Sequence, residues 1–291
     1  MQDFIKNIFI SPDEPRLRAG WRILGQFILM GIFSVIFGSL FLITGLTSLA
    51  VSILSSIFAI TCSVIVARRF LDRRSFTSLG FTRQRHTLKD LMVGIGIPGI
   101  MMGMIFLVEA GFGWLDFQGF IWEVQSPADW IPELLIWTLV FLAVGYYEEL
   151  LSRGYHLQNM EDGLNTVWAV LISSSIFGIA HLGNPNATWV SAVGILGAGI
   201  FLAYGYLRTR QMWLPIGLHI GWNFFEGPVF GFPVSGLDTF RLLVHHATGP
   251  ELFTGGAFGP EAGLLSIFAM LLGGWMINRY TQGRLHDINS L

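Results

Sequence analysis

The chain has 291 residues, 53% of them hydrophobic and only 12% charged, about half the roughly 25% charged content of an ordinary soluble domain. A net charge of -2 with no basic face argues against a nucleic-acid partner, and the lone cysteine, Cys62, excludes an internal disulfide and a cysteine-built zinc cluster. The apolar residues come in long runs, which predicts an all-α, polytopic membrane protein of about eight transmembrane helices.

In chain order, residues 1–22 form a short amphipathic lead with Lys6, Arg16, Arg18 and Arg22. The first apolar run, about 23–46, exceeds the roughly 7–15 residues of a secretory h-region. No small-residue cleavage pattern follows it, so it reads as span 1. Span 2 covers about 48–67, ahead of a basic loop over 68–89 that holds Arg68, Arg69, Arg73, Arg74, Arg83, Arg85 and Lys89. Span 3, about 91–112, contains Pro98 and carries Glu109 near its far end, where the carboxylate reads as meeting lipid headgroups. Residues 113–129 read as a loop without Lys or Arg, and Trp114, Trp122 and Trp130 suit a membrane interface.

Span 4 begins near Ile131 and meets no stop signal before about Met160. Span 5 covers about 166–182, with Asn165 placed to cap it and Gly183-Asn-Pro-Asn186 to break it. Span 6 covers about 187–207. Span 7 covers about 213–225, with Pro215 acceptable in its first turn. A Gly/Pro-rich loop containing His245 and His246 leads to span 8, about 262–278. With an N-terminus in the cytoplasm and alternating spans, every Lys and Arg except Arg241 falls on the cytoplasmic side, so both termini are expected there, in a cell membrane. The expected organisation is an N-terminal membrane region (1–129), a core of spans 4–7 (130–228), and an outer loop with the last span (229–291).

Chemistry concentrates in three places. The stretch Gly145-Tyr-Tyr-Glu-Glu-Leu-Leu-Ser-Arg153 sets two carboxylates and an arginine inside a long helix, where ionisable groups are expensive and therefore point to function. Glu149 and Arg153 are four residues apart and share a face, so they can neutralise each other. Glu148 is turned about 100° away, and a carboxylate in an apolar cavity gains proton affinity and suits a general base. His219 and Asn223, also four apart, offer an imidazole and an amide to a developing oxyanion, a metal or a substrate. His181 closes span 5, one turn after Phe177.

Each piece alone has an ordinary alternative: a solvated helix end, an interhelical hydrogen bond, an interface histidine, a packing aromatic. Together they make a hydrolytic set, with water activated by Glu148 or by a metal, and an oxyanion held by His and Asn. The remaining histidines, His86, His156 and His286, read as surface, and the adjacent pair His245 and His246 does not suit a metal site.

At these residues the sequence resembles the CPBP family, the CAAX-protease and bacteriocin-processing group of intramembrane endopeptidases that includes the type II CAAX prenyl endopeptidases. The family pattern of E-E-x-x-x-R, F-x-x-x-H and H-x-x-x-N appears in order as Glu148-Glu149-Leu-Leu-Ser-Arg153, Phe177-Gly-Ile-Ala-His181 and His219-Ile-Gly-Trp-Asn223, over about 130–228. Ser152 stands where many members carry an aromatic. The resemblance implies an eight-helix fold with a polar cavity inside the membrane, and proteolysis of a membrane-bound, possibly prenylated, peptide or protein in the lipid bilayer. It implies that Glu148 with His181 activates water, that His219 with Asn223 stabilises the oxyanion, and that Glu149 and Arg153 brace the site. No cofactor is demanded; a Zn2+ ion on Glu148, His181 and His219 is the metal-dependent version. The alternatives are a non-catalytic bacteriocin-immunity or binding relative, and a small proton-coupled transporter using the same residues as a relay. The linear map poses one difficulty: His181 falls ~22 Å along its span from the cytoplasmic side and His219 only ~9 Å along its own, at ~1.5 Å per residue.

Overall fold

The computed structural model describes residues 8–11 and 15–284; Lys6 and His286 lie outside them. Eight helices longer than ten residues occur among the described residues: α1 (Ala19–Leu42), α2 (Ser48–Val66), α3 (Thr87–Gly111), α4 (Pro127–Glu149), α5 (Thr166–Ala180), α6 (Trp189–Thr209), α7 (Trp213–Phe224) and α8 (Leu264–Tyr280). α2 runs on through a π-helical turn, Ala67–Leu71, and α4 through another, Leu150–Leu157, and then Gln158–Gly163. Six segments are long and apolar enough to cross a bilayer: Ala19–Leu42, Ser48–Leu71, Thr87–Gly111, Pro127–Gly163, Thr166–Gly183 and Trp189–Thr209. α7 and α8 are shorter. The protein is an all-α polytopic membrane protein, and α1 shows why: Leu24, Ile28, Ile32 and Val35 are exposed, an outward apolar face that only lipid accommodates.

The chain divides into two compact units, Met1–Gln84 with Ala143–Ser173, and Arg85–Leu142 with Ser174–Leu291. In the first unit, Ile60, Val64, Ala67, Leu79, Leu150 and Tyr155 form a buried core. Thr47 caps α2, its hydroxyl oxygen accepting the Ala50 N–H at 3.3 Å. At one end of this unit the sequence reading needs correction. Arg68 is 1% exposed and belongs to the π-helical turn, not to a solvated loop. It stays inside because Asp72, four residues on, accepts its Nη1 at 2.8 Å. Asp72 also takes Arg22 at 3.4 Å, the Tyr155 hydroxyl at 3.1 Å and the Asn159 amide at 3.3 Å. His156, expected at the surface, is 3% exposed and bonds Gln26 at 3.0 Å.

In the second unit, Ile97, Met101, Met102 and Ile105 of α3, Phe201 and Leu202 of α6 and Leu214, Leu218 and Trp222 of α7 share one core. α3 and α7 meet through glycine. A Cβ on Gly94 would stand 2.6 Å from the Leu214 carbonyl oxygen, one on Gly217 2.4 Å from that of Leu91, and one on Gly221 2.4 Å from that of Ile95. Two glycines four residues apart on α7 thus form the small-residue seam that lets membrane helices approach.

Residues 113–129, read as a loop, contain a strand, β1 (Leu115–Phe120), paired antiparallel with β2 (Leu243–Ala247). The pairing places His245 opposite Phe117 and buries it to 2% exposure, with Nε2–H donating to the Phe230 carbonyl at 2.6 Å. His246, next along the strand, is exposed, as alternation requires. Glu109 is also corrected. The chain folds back at Gly113 (φ 70°), where the Trp114 N–H bonds the Glu109 backbone carbonyl at 2.8 Å, and the Glu109 side chain is 0% exposed and does not reach a headgroup.

Candidate active site

The first motif lies in the first unit, at the junction where α4 passes into its π-helical turn. Such turns insert a residue into the helical ladder and recur at functional sites. Glu149 and Arg153 form the expected pair, Oε1 to Nη1 at 2.6 Å, both nearly inaccessible. Glu148, rotated off that face, is half-buried. The Glu149–Arg153 pairing read from the helix period is present, and Glu148, one position round the helix, also lies within electrostatic reach of Arg153. Asn165 also caps α5 as expected, Oδ1 accepting the Trp168 N–H at 3.0 Å.

The second and third motifs lie in the second unit. α5 ends as Phe177 is followed by the 3-10 turn His181–Gly183. The His181 Nδ1–H donates to the Phe177 carbonyl oxygen at 2.7 Å. A carbonyl can only accept, so Nδ1 carries the hydrogen and Nε2 holds the lone pair of the neutral ring. The Phe177 ring meets His181 edge-on at 4.7 Å and His219 at 6.1 Å with the planes at 89°. The structure therefore brings both imidazoles to one aromatic ring, and the depth conflict disappears. α7 is only 12 residues long, and Leu214 to Asn223 are all buried, as is Met212 before it.

The seam explains which way the third motif points. Gly217 and Gly221 face α3, while His219 and Asn223 are offset from them by two residues, about 200° of helix rotation. The polar pair thus occupies the opposite face, 6% exposed at each residue. The stripe continues to Glu226, seven residues after His219, in the π-helical turn Phe225–Val229. Glu226 is 0% exposed. The Trp222 indole and the Glu261 backbone approach it without a hydrogen bond of acceptable geometry to either carboxyl oxygen. Glu261, 4% exposed, lies within electrostatic reach of Glu226, His181 and His219. Burial pushes the Glu261 carboxyl above its usual range, while Ser235 and the two imidazoles oppose the rise. The i, i+4, i+7 spacing made Glu226 findable from the sequence. Nothing local marks Glu261.

Among the described residues, no group of three His, Cys, Asp or Glu side chains is placed to hold an ion. An apolar cleft of about 380 Å³ lies between α3 and the strand pair, lined by Phe106, Ala110, Leu115, Phe117, Phe120 and Leu243. None of the motif residues lines it.

Residues 130–225, which hold all three motifs, match the family model described as Type II CAAX prenyl endopeptidase Rce1-like. The family resemblance read from the motifs is thereby shown. A curated relative from Bacillus subtilis (strain 168), named "Putative membrane peptidase YdiL", is 29% identical over 137 residues, 47% of this chain and 52% of that protein. The chain thus spans about half the length of the curated relative it matches.

Proposed function

We propose that this membrane protein is an intramembrane endopeptidase that hydrolyses a peptide bond in a membrane-associated substrate, with a prenylated CAAX-type peptide as the first candidate. In this reading Glu148, with His181, takes a proton from water. The resulting hydroxide adds to the scissile carbonyl, and His219 with the Asn223 amide donates to the tetrahedral oxyanion. Collapse breaks the C–N bond, and the abstracted proton passes to the departing amine. Glu149 and Arg153 neutralise each other and brace the helix that carries Glu148. Placement in the cell membrane with both termini cytoplasmic belongs to the same proposal, on the distribution of Lys and Arg.

The observation that carries the reading is the meeting of His181 and His219 at the Phe177 ring, with Asn223 one turn along the same face of α7. A site for splitting amides needs such donors preorganised before charge develops. Full-length protein in lipid vesicles, given prenylated and unprenylated CAAX peptides, tests it by mass spectrometry of the products. Cleavage that falls ~100- to 1,000-fold in kcat with Asn223→Ala or His219→Ala is the expected result, and undiminished cleavage would remove those donors from the reaction. The metal-dependent version, with Zn2+ on Glu148, His181 and His219, predicts instead that a chelator abolishes cleavage and zinc restores it.

A further inference from the structure

In the second unit α3 begins where α6 and α8 end, and charged side chains outside the three motifs tie these ends together. Asp90, in the first turn of α3, is 3% exposed. Its Oδ1 accepts both the Tyr280 hydroxyl and Arg284 Nη1 at 2.7 Å, which holds the end of α8 against the start of α3. The Tyr280 ring meets a cation from each side of this junction. Lys89 Nζ lies 5.6 Å from its centroid and the Arg284 guanidinium carbon 4.6 Å. Arg208, in the last turn of α6, donates from Nε to the Thr281 hydroxyl at 2.7 Å.

Lys89, Arg208 and Arg284 therefore converge on Tyr280 and Thr281, and among the described residues their only ion pair is that of Arg284 with Asp90. The cluster has a surplus of positive charge. It also has donors to offer: Lys89 is exposed, and both guanidiniums carry N–H groups beyond the one each uses here. Like charges gathered in this way repel, and an anion that bridges them turns the repulsion into attraction. Guanidinium and ammonium groups together suit a phosphate.

The neighbouring surface says which phosphate. Met92, Gly96 and Ile100 follow Lys89 along one exposed face of α3, and a Cβ on Gly96 would meet nothing within 4 Å. On α8, exposed Leu271 and Trp275 lead at helical spacing to exposed Arg279. The two helices pack together, since a Cβ on Gly273 of α8 would stand 2.5 Å from Met101 Sδ of α3. Such apolar faces of a membrane protein are covered by lipid tails. The cations thus stand where lipid-covered helices end and headgroups lie, and basic clusters between helix ends suit acidic headgroups. Asp90, buried and already accepting two bonds, is not open to the ammonium of a zwitterionic headgroup, so a net negative one is favoured.

We propose that the joined ends of α3, α6 and α8 bind the headgroup phosphate of an anionic phospholipid. Lys89, Arg208 and Arg284 are its donors, and Asp90 with Tyr280 sets Arg284 in place. The proposal is independent of the peptidase reading. Full-length protein in detergent micelles, titrated with phosphatidylglycerol or phosphatidylcholine and read by native mass spectrometry, tests it. Phosphatidylglycerol is expected to bind at the lower concentration. Its affinity should fall roughly fivefold for each cation removed, in Lys89→Gln and in Arg208→Gln. Arg241→Gln, which removes a cation beside Asp238 ahead of β2, should leave it unchanged. Glycerol phosphate, which has the headgroup without the acyl chains, should not displace the lipid.

Equal binding of the two lipids would overturn the proposal, as would an equal loss in Arg241→Gln. Displacement by glycerol phosphate would assign the cluster to a soluble anion and overturn it too. Should Arg208→Gln fail to fold for want of its Thr281 bond, Lys89→Gln decides alone, because that exposed side chain only touches a ring and its loss should spare the thermal midpoint.

Discussion

The two units differ in whether every buried carboxylate is given a partner. In the first, Asp72 is surrounded by Arg22, Arg68, Tyr155 and Asn159, Asp162 draws Arg16, Arg22 and Arg74, and Glu149 holds Arg153. In the second, Asp90 is paired with Arg284 and Tyr280 and Glu261 with Ser235, but Glu109 and Glu226 are 0% exposed with no hydrogen bond to either carboxyl oxygen. A network of paired buried charges fixes helices at little net gain but is costly to break. An unsatisfied buried carboxyl only costs, and a chain keeps one for reasons other than stability. The first unit thus reads as the brace of the helix bearing Glu148. The second keeps two carboxyls that are not matched for stability, Glu109 at the end of α3 and Glu226 just after the polar face of α7.

The contrast is most easily broken at Asp72. Asp72→Ala strands Arg68 and Arg22 in the interior and should lower stability by roughly 3–5 kcal/mol, read as a drop in the thermal midpoint in detergent. An unchanged midpoint would show the network to be solvated. Gly217→Val should come next. Its side chain meets backbone of α3, which cannot yield as a flexible side chain would, so a loss of about 1–3 kcal/mol or more is expected, with Gly217→Ala milder. Glu109→Leu should move the midpoint the other way. Replacing an unbonded buried carboxyl by an apolar group removes a penalty of about 1–3 kcal/mol, and destabilisation instead would mean that Glu109 has a partner.

The smallest effect concerns His245. Burial lowers the proton affinity of its ring, with the charges of Arg241 and His246 adding to the effect and the Phe230 carbonyl opposing it. The folded ring therefore binds a proton less readily than the unfolded one. Its contribution is complete above the unfolded value of about 6.5 and is lost as the pH falls through the folded value. The thermal midpoint should decline as the pH is lowered below about 6.5, and His245→Gln should flatten that decline.

Much of this was legible from residue order. Helical period alone put Glu149 on Arg153 and set His219 and Asn223 on one face, because an α-helix fixes neighbours four apart whatever surrounds it. Asn165 could be read as a cap for the same local reason. What was not legible depended on distant partners. Arg68 reads as a loop residue until Asp72 and Ser78 are seen to hold it. His156 reads as surface until Gln26 is found beside it. β1 shows alternation over Leu115-Asp-Phe-Gln118, but its partner strand lies more than a hundred residues away and does not alternate. The meeting of His181 and His219 at one ring was not legible because it depends on how α5 and α7 are set against each other, and Glu261 was missed because a lone acid in a Gly/Pro-rich turn looks like any other.

The central claim is that a glutamate in the membrane activates water to split a peptide bond. The direct measurement is the turnover of a membrane peptide by the purified full-length protein in vesicles, compared with Glu148→Gln of matched thermal midpoint. The account predicts cleavage by the wild type and a loss of ~100- to 10,000-fold in the variant. Equal turnover by the two proteins would contradict it.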